Sequence, residues 1–144
     1  MVRVAVTVIA VSVSLITVAH GQRAKPSAGL VGCWRTEDVA SKNSADLCLG
    51  LAGNATTGWF NSQEHEAVYQ GRRYATKGNQ LTIYDHRADH DPNPHGNVCK
   101  FALPFDGSEL ILRDCEYKGD WKRVCRDVKL DEQGSVVCVK YPAN

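Results

Sequence analysis

Between Asp85 and Gly96 the sequence reads Asp-His-Arg-Ala-Asp-His-Asp-Pro-Asn-Pro-His-Gly, which puts three histidines and three aspartates into twelve residues. Imidazole nitrogens and carboxylate oxygens are the groups that hold zinc, copper or nickel, and Pro92 and Pro94 restrict the conformations from which such a loop would close around an ion. His86, His90 and His95 are therefore the candidate metal ligands. The competing reading is a solvated loop: no periodic element fixes the directions of the three side chains, and polar residues collect in exposed connections. We prefer the loop and carry the metal site as the alternative.

A second histidine motif tests negative. His65-Glu66-Ala67-Val68-Tyr69 begins like the zinc-protease pattern His-Glu-x-x-His, but Tyr69 stands where the second ligand belongs. The alternation around it favours a strand, on which residues four apart lie about 13 Å from one another instead of one helical turn apart. The chain has no Gly-x-Ser-x-Gly, no phosphate loop and no dinucleotide fingerprint. Its carboxylates form no pairing from which acid and base roles could be assigned. A non-catalytic protein that needs no cofactor is expected.

Aromatic residues supply the other kind of candidate. Trp59, Phe60, Tyr69, Tyr74, Tyr84 and Phe101 fall on stretches that read as strands, where aromatics serve first as packing. If a ligand enters the domain, Trp59, Tyr69, Tyr84 and Phe101 are the residues expected to line its site.

These side chains must be positioned by short strands. Stretches with two-residue alternation or β-branched and aromatic enrichment run over 30–36, 46–51, 57–61, 66–75, 80–86, 97–103, 109–114, 121–129 and 135–141, each bounded by Gly, Asn, Asp or Pro. Leu81 and Ile83 alternate with Thr82 and Tyr84, the pattern of a sheet with one buried face. Lys77-Gly78-Asn79, Phe105-Asp106-Gly107-Ser108, Lys118-Gly119-Asp120 and Glu132-Gln133-Gly134 are compact turns with residues that tolerate positive φ. Residues 37–44 lack an apolar stripe and read as a loop or a single turn. The expected fold class is all-β: an antiparallel up-and-down meander closed into a small barrel of eight or nine strands, because closure removes the exposed edges of a meander.

Length and charge agree with one such domain. The chain has 144 residues with 17 basic and 16 acidic side chains, too balanced for a nucleic-acid surface or a polybasic membrane patch. Residues 1–21 open with Arg3, continue through an apolar run from Val4 to Val18 and close on Ala19-His20-Gly21, the pattern of a signal peptide cleaved before Gln22. The apolar run is too short for a membrane span. The mature protein is expected in a periplasm or secreted, with a flexible arm over residues 22–29 and a barrel domain over 30–144.

All six cysteines, at 33, 48, 99, 115, 125 and 138, lie beyond that cut. An even number in a small exported domain implies disulfides, and no Cys-x-x-Cys is present to suggest zinc or redox chemistry. Cys99 and Cys115 are symmetric about Gly107, and Cys125 and Cys138 straddle the turn at 131–134, so sequential pairing is expected. Each short loop would then contribute about 3 kcal/mol through the unfolded state. The rival pairing joins Cys115 to Cys125.

Leu30-Val31-Gly32-Cys33-Trp34 resembles the Gly-x-Trp opening of lipocalins and related small barrels. The resemblance implies that Trp34 closes one barrel end and that an arginine from a late strand, Arg123 or Arg126, stacks on it as a cation on an aromatic face. The same opening, followed by the cysteine-bearing strand Leu47-Cys48-Leu49-Gly50-Leu51, is similar to bacterial barrels that inhibit secreted metalloproteases through an N-terminal trunk, a role open to residues 22–29. The expectation is a lipocalin-like binding or inhibitory module. Its partner would be a small apolar ligand in the barrel or a secreted protein gripped by loops and arm, with no nucleic acid and no membrane span after cleavage.

Overall fold

A computed structural model describes residues 27–38, 43–85 and 95–140. The leader and most of the arm, the loop residues 86–94 with His86 and His90, and the last four residues lie outside the described part.

Eight antiparallel strands form a closed barrel in which every strand pairs with its neighbours in chain order. They are β1 (Gly32–Asp38), β2 (Asn43–Leu49), β3 (Asn54–Asn61), β4 (Glu66–Lys77), β5 (Gln80–Tyr84), β6 (Gly96–Ala102), β7 (Glu109–Arg113) and β8 (Gly119–Cys125). Pairing of Trp34 with Arg123 and of Arg35 with Lys122 brings β8 back to β1 and closes the cylinder, with a register shift between Cys33 and Trp34. A short hairpin follows, β9 (Val128–Leu130) with β10 (Val136–Cys138). The stretch 121–129 expected as one strand is thus divided at Arg126 and Asp127. Residues 37–38 and 43–44, expected in a loop, extend β1 and β2 instead.

Alternation decides what fills the cylinder. Leu47 and Leu49, Ala55, Tyr74, Leu81 and Ile83, Leu110 and Leu112 all face inward and, with Trp34 and Trp121, form one buried cluster. Leu30, at the end of a single 3-10 turn (Ala28–Leu30), plugs the end from which the chain enters. Burying each such side chain contributes roughly 1.5–3 kcal/mol.

The Gly-x-Trp segment lies at this closed end. Gly32 has φ +140° and no room for a side chain, since a Cβ there would meet the Cys125 carbonyl oxygen at 2.6 Å. Trp34 follows, fully buried, and its indole Nε1 donates to the Leu30 carbonyl at 3.0 Å. Of the two candidate arginines, Arg123 is the one that stacks: its guanidinium carbon lies 4.0 Å from the centroid of the Trp34 ring. Its N–H groups donate to the carbonyls of Val31 at 2.8 Å, Gly107 at 2.6 Å and Gly29. Burial pulls its pKa below the usual arginine value, and the charge of Arg126 adds to that.

The disulfides pair in sequence order: Cys33 with Cys48, Cys99 with Cys115, and Cys125 with Cys138. The first joins directly opposite residues of β1 and β2. The last holds the β9–β10 hairpin, and Val136 of that hairpin packs with Cys33, Cys48 and Cys125 in a second buried cluster on the outer wall. Thr56 is buried with it, and its hydroxyl accepts the Val136 N–H at 2.8 Å. The hairpin therefore shields the first disulfide from solvent.

Candidate binding site at the barrel mouth

The turns after β2, β4 and β6 share the closed end with the 3-10 turn. The opposite end, from which β1, β3, β5 and β7 leave the barrel, is the mouth. Inward positions change character on approaching it. Along β4 the inward residues run from Tyr74 to Arg72, Gln70 and Val68, and along β3 from Ala55 to Thr57 and Trp59. Leucine gives way to groups that can hydrogen-bond.

A cavity of about 220 Å³ opens here, with Thr57, Trp59, Val68, Gln70, Arg72, Tyr117 and Trp121 among its walls. A drug-sized ligand typically occupies 300–1,000 Å³, so this cavity suits a smaller molecule or one terminal group of a larger one. Below it the core is filled by side chains. The fully buried Leu47, Leu49, Leu81 and Leu110 leave no through-going lumen.

The connection between β7 and β8 roofs the cavity and is held from three sides. Cys115 is bonded to Cys99, an inward and fully buried residue of β6. The Asn97 side chain accepts the Glu116 N–H at 3.0 Å and donates through Nδ2 to the Glu116 carboxylate at 2.7 Å. Trp121 Nε1 donates to the Tyr117 carbonyl at 3.0 Å. Cys115 and Tyr117 are thereby packed against the core. Burial pushes the Tyr117 hydroxyl above the ordinary tyrosine range; Arg72 and a hydrogen bond with Thr57 oppose the shift, while Glu116 and Asp85 add to it.

The charged groups of the mouth differ in how they are matched. Asp46 lies on the outer face of β2, out of phase with the inward Leu47, and is taken there by Arg35 in a two-pronged pair at 2.7 and 3.0 Å. Arg72 is held by neutral oxygens: the Thr57 hydroxyl at 3.5 Å, the Gln70 side-chain carbonyl and the Asp85 main-chain carbonyl. Those contacts aim the guanidinium without compensating its charge.

The four aromatic candidates separate by face. Trp59 lines the cavity and is 47% exposed at its rim. Phe101 faces inward but packs into the core cluster below the mouth. Tyr69 lies on the other face of β4 from Val68, Gln70 and Arg72, 61% exposed, with its ring against Gly58 of the paired strand. Tyr84 pairs with Arg73, out of phase with the inward Ile83, and also lies on the outer wall. Gln70, Arg72, Tyr117 and Trp121 were not among the candidates. Phase with Tyr74 would have found the first two, since residues two and four positions earlier on one strand share its face.

Of the metal candidates, His95 is described and exposed at the start of β6, whereas His86 and His90 lie outside the described residues. Among the described residues no group of three metal-ligating side chains comes together. His65 sits in the turn between β3 and β4 with φ +54°, and Glu66 and Tyr69 follow on β4, so the near-motif is a turn and a strand. No helix of the described residues is long and apolar enough to cross a membrane.

No family model and no curated protein matches the chain. Among solved structures it is similar to the NMR structure of a protein from Bacteroides thetaiotaomicron, at 19% identity over 72% of this chain and 97% of that one, with a TM-score of 0.48.

Proposed function

We infer that this chain is an exported, non-catalytic binding module of lipocalin-like design and that it binds at the mouth and not in a hollow interior. The observation that carries the reading is the change in the inward face from a packed leucine layer to a small cavity walled by Trp59, Tyr117, Trp121, Gln70 and Arg72. A long apolar ligand would have to displace buried leucines, each at a cost of roughly 2–5 kcal/mol. A small molecule, or a group projecting from a protein partner, displaces only solvent. Three disulfides agree with an oxidising compartment and with the signal-peptide pattern of residues 1–21.

The test is native mass spectrometry of the protein isolated from its own host under non-reducing conditions, beside a Val68→Trp variant that fills the mouth. A small adduct present on the parent chain and absent from the variant, with all three disulfides intact in both, supports the reading. A lipid-sized adduct retained by the variant contradicts it.

A further inference from the structure

We propose that Arg72 makes the mouth a carboxylate site, taking a small organic acid or the C-terminal carboxylate of a peptide with its apolar body against the aromatic walls. This rests on the mouth reading above and adds the chemical class of the ligand.

Asp46 and Glu116 are acidic residues on the wall of the same cavity as Arg72, and Asp46, out of phase with the inward Leu47, turns its carboxylate to the outer face. Asp46 is occupied by Arg35 at 2.7 Å, and the Glu116 carboxylate accepts from Asn97 at 2.7 Å. Neither is paired with Arg72, whose three acceptors among the described residues are all neutral. A guanidinium presents five N–H donors and cannot lose its charge at physiological pH. Three contacts leave donors to spare, and no carboxylate of the described residues forms an ion pair with the guanidinium.

Geometry supports the same conclusion. Arg72 is a partly buried, inward-facing residue on a strand paired with β3 at Ala55, so its backbone is fixed. Thr57, Gln70 and the Asp85 carbonyl hold the side chain on three sides, which lowers the ordering cost of binding. A fork so restrained matches the two oxygens of a carboxylate better than a point charge would. Trp59 and Trp121 line the same cavity. A volume of about 220 Å³ admits a ring or an aliphatic side chain attached to that carboxylate and little more.

The experiment titrates the full chain with phenylacetate, with phenylacetamide, and with an N-acetylated dipeptide ending in phenylalanine as its free acid and as its amide, following tryptophan fluorescence. Acids are expected to bind at least about tenfold more tightly than their amides, the range for a charge-assisted hydrogen bond. Arg72→Gln should erase that difference, whereas Lys122→Gln, an exposed change on the outer face of β8, should preserve it. The comparison of acid with amide needs no variant, so it stands even if R72Q fails to fold. Tighter binding of phenylacetate identifies a free acid as the natural class; tighter binding of the peptide acid identifies a protein terminus. Equal binding of acids and amides overturns the proposal while leaving the mouth as the site. Binding of none of the four up to the solubility of the probes overturns the proposal and counts against the mouth as well.

Discussion

The indole Nε1 of Trp121 donates to the main-chain carbonyl of Tyr117 at 3.0 Å, so the back wall of the mouth also suspends its roof. The Cys99–Cys115 disulfide and the reciprocal Asn97–Glu116 hydrogen bonds fix the other side of the same loop. Three independent tethers on so short a connection describe a preformed site, one that spends little ordering entropy when it is filled.

Removing one tether should loosen the roof without unfolding the barrel. Trp121→Phe keeps most of the apolar bulk and loses the donor, for an expected destabilisation of about 1–3 kcal/mol. Hydrogen exchange should accelerate at Glu116, Tyr117 and Lys118 and remain slow at Leu81 and Leu110. Uniform acceleration across the barrel would mean that Trp121 supports the whole core and not the roof in particular.

At the closed end, Arg123 does two jobs for one side chain, stacking on Trp34 at 4.0 Å and collecting the carbonyls of Gly29, Val31 and Gly107. Arg123→Ala is expected to cost about 3 kcal/mol, from a desolvated cation–π contact and several lost hydrogen bonds. Arg123→Lys should recover less than half of that, because an ammonium cannot reach three carbonyls in a plane while covering the ring. Urea midpoints of the two variants measure both numbers.

Much of this end was legible in the sequence. Gly78, Gly107 and Gly134 adopt positive φ at three of the expected turns, and no other residue type does so as cheaply. The turn placed at Lys118-Gly119-Asp120 is different: Gly119 and Asp120 belong to β8, and the chain reverses earlier, with Asp114 at φ +62°. Tethering Cys115 to the inward Cys99 and Glu116 to Asn97 sets that position; the disulfide was expected from its spacing, whereas the Asn97–Glu116 hydrogen bonds leave no local mark. Strand phase, by contrast, was available. Tyr84 is out of phase with Leu81 and Ile83, and Tyr69 with Tyr74, which puts both tyrosines on the outer wall. The division of β8 from β9 was not legible, because residues 121–129 contain no Gly or Pro to mark a break.

That hairpin yields a prediction of its own. Replacing Cys125 and Cys138 together by Ser removes a cross-link spanning 13 residues, worth about 3 kcal/mol in the chain-entropy account. The Cys33–Cys48 bond, buried beneath Val136, should then become reducible by dithiothreitol under native conditions, while Cys99–Cys115 keeps its rate. Alkylation and mass mapping after timed reduction distinguish the three bonds. Unchanged protection of Cys33–Cys48 would show that the hairpin stays seated without its cross-link.

Stability should also fall in base. The Tyr74 hydroxyl donates to the Gly50 carbonyl at 2.7 Å, and burial raises its pKa well above the ordinary 10.0. The unfolded chain ionises this group near the ordinary value and the folded chain does not. The stabilisation is therefore complete below pH 10 and is lost progressively as pH rises above it toward the folded value. Tyr74→Phe should cost about 1–2 kcal/mol at neutral pH and flatten the loss of stability above pH 10. Guanidinium denaturation at neutral pH and in base gives both slopes.

The most direct test of binding at the mouth is an NMR titration of the labelled full chain with phenylacetate, read residue by residue. Saturable shifts are expected at Thr57, Gln70, Arg72, Tyr117 and the Trp121 indole, with Leu49, Leu81 and Leu110 unmoved. Shifts centred on those leucines, or on the outer tyrosines Tyr69 and Tyr84, would contradict it.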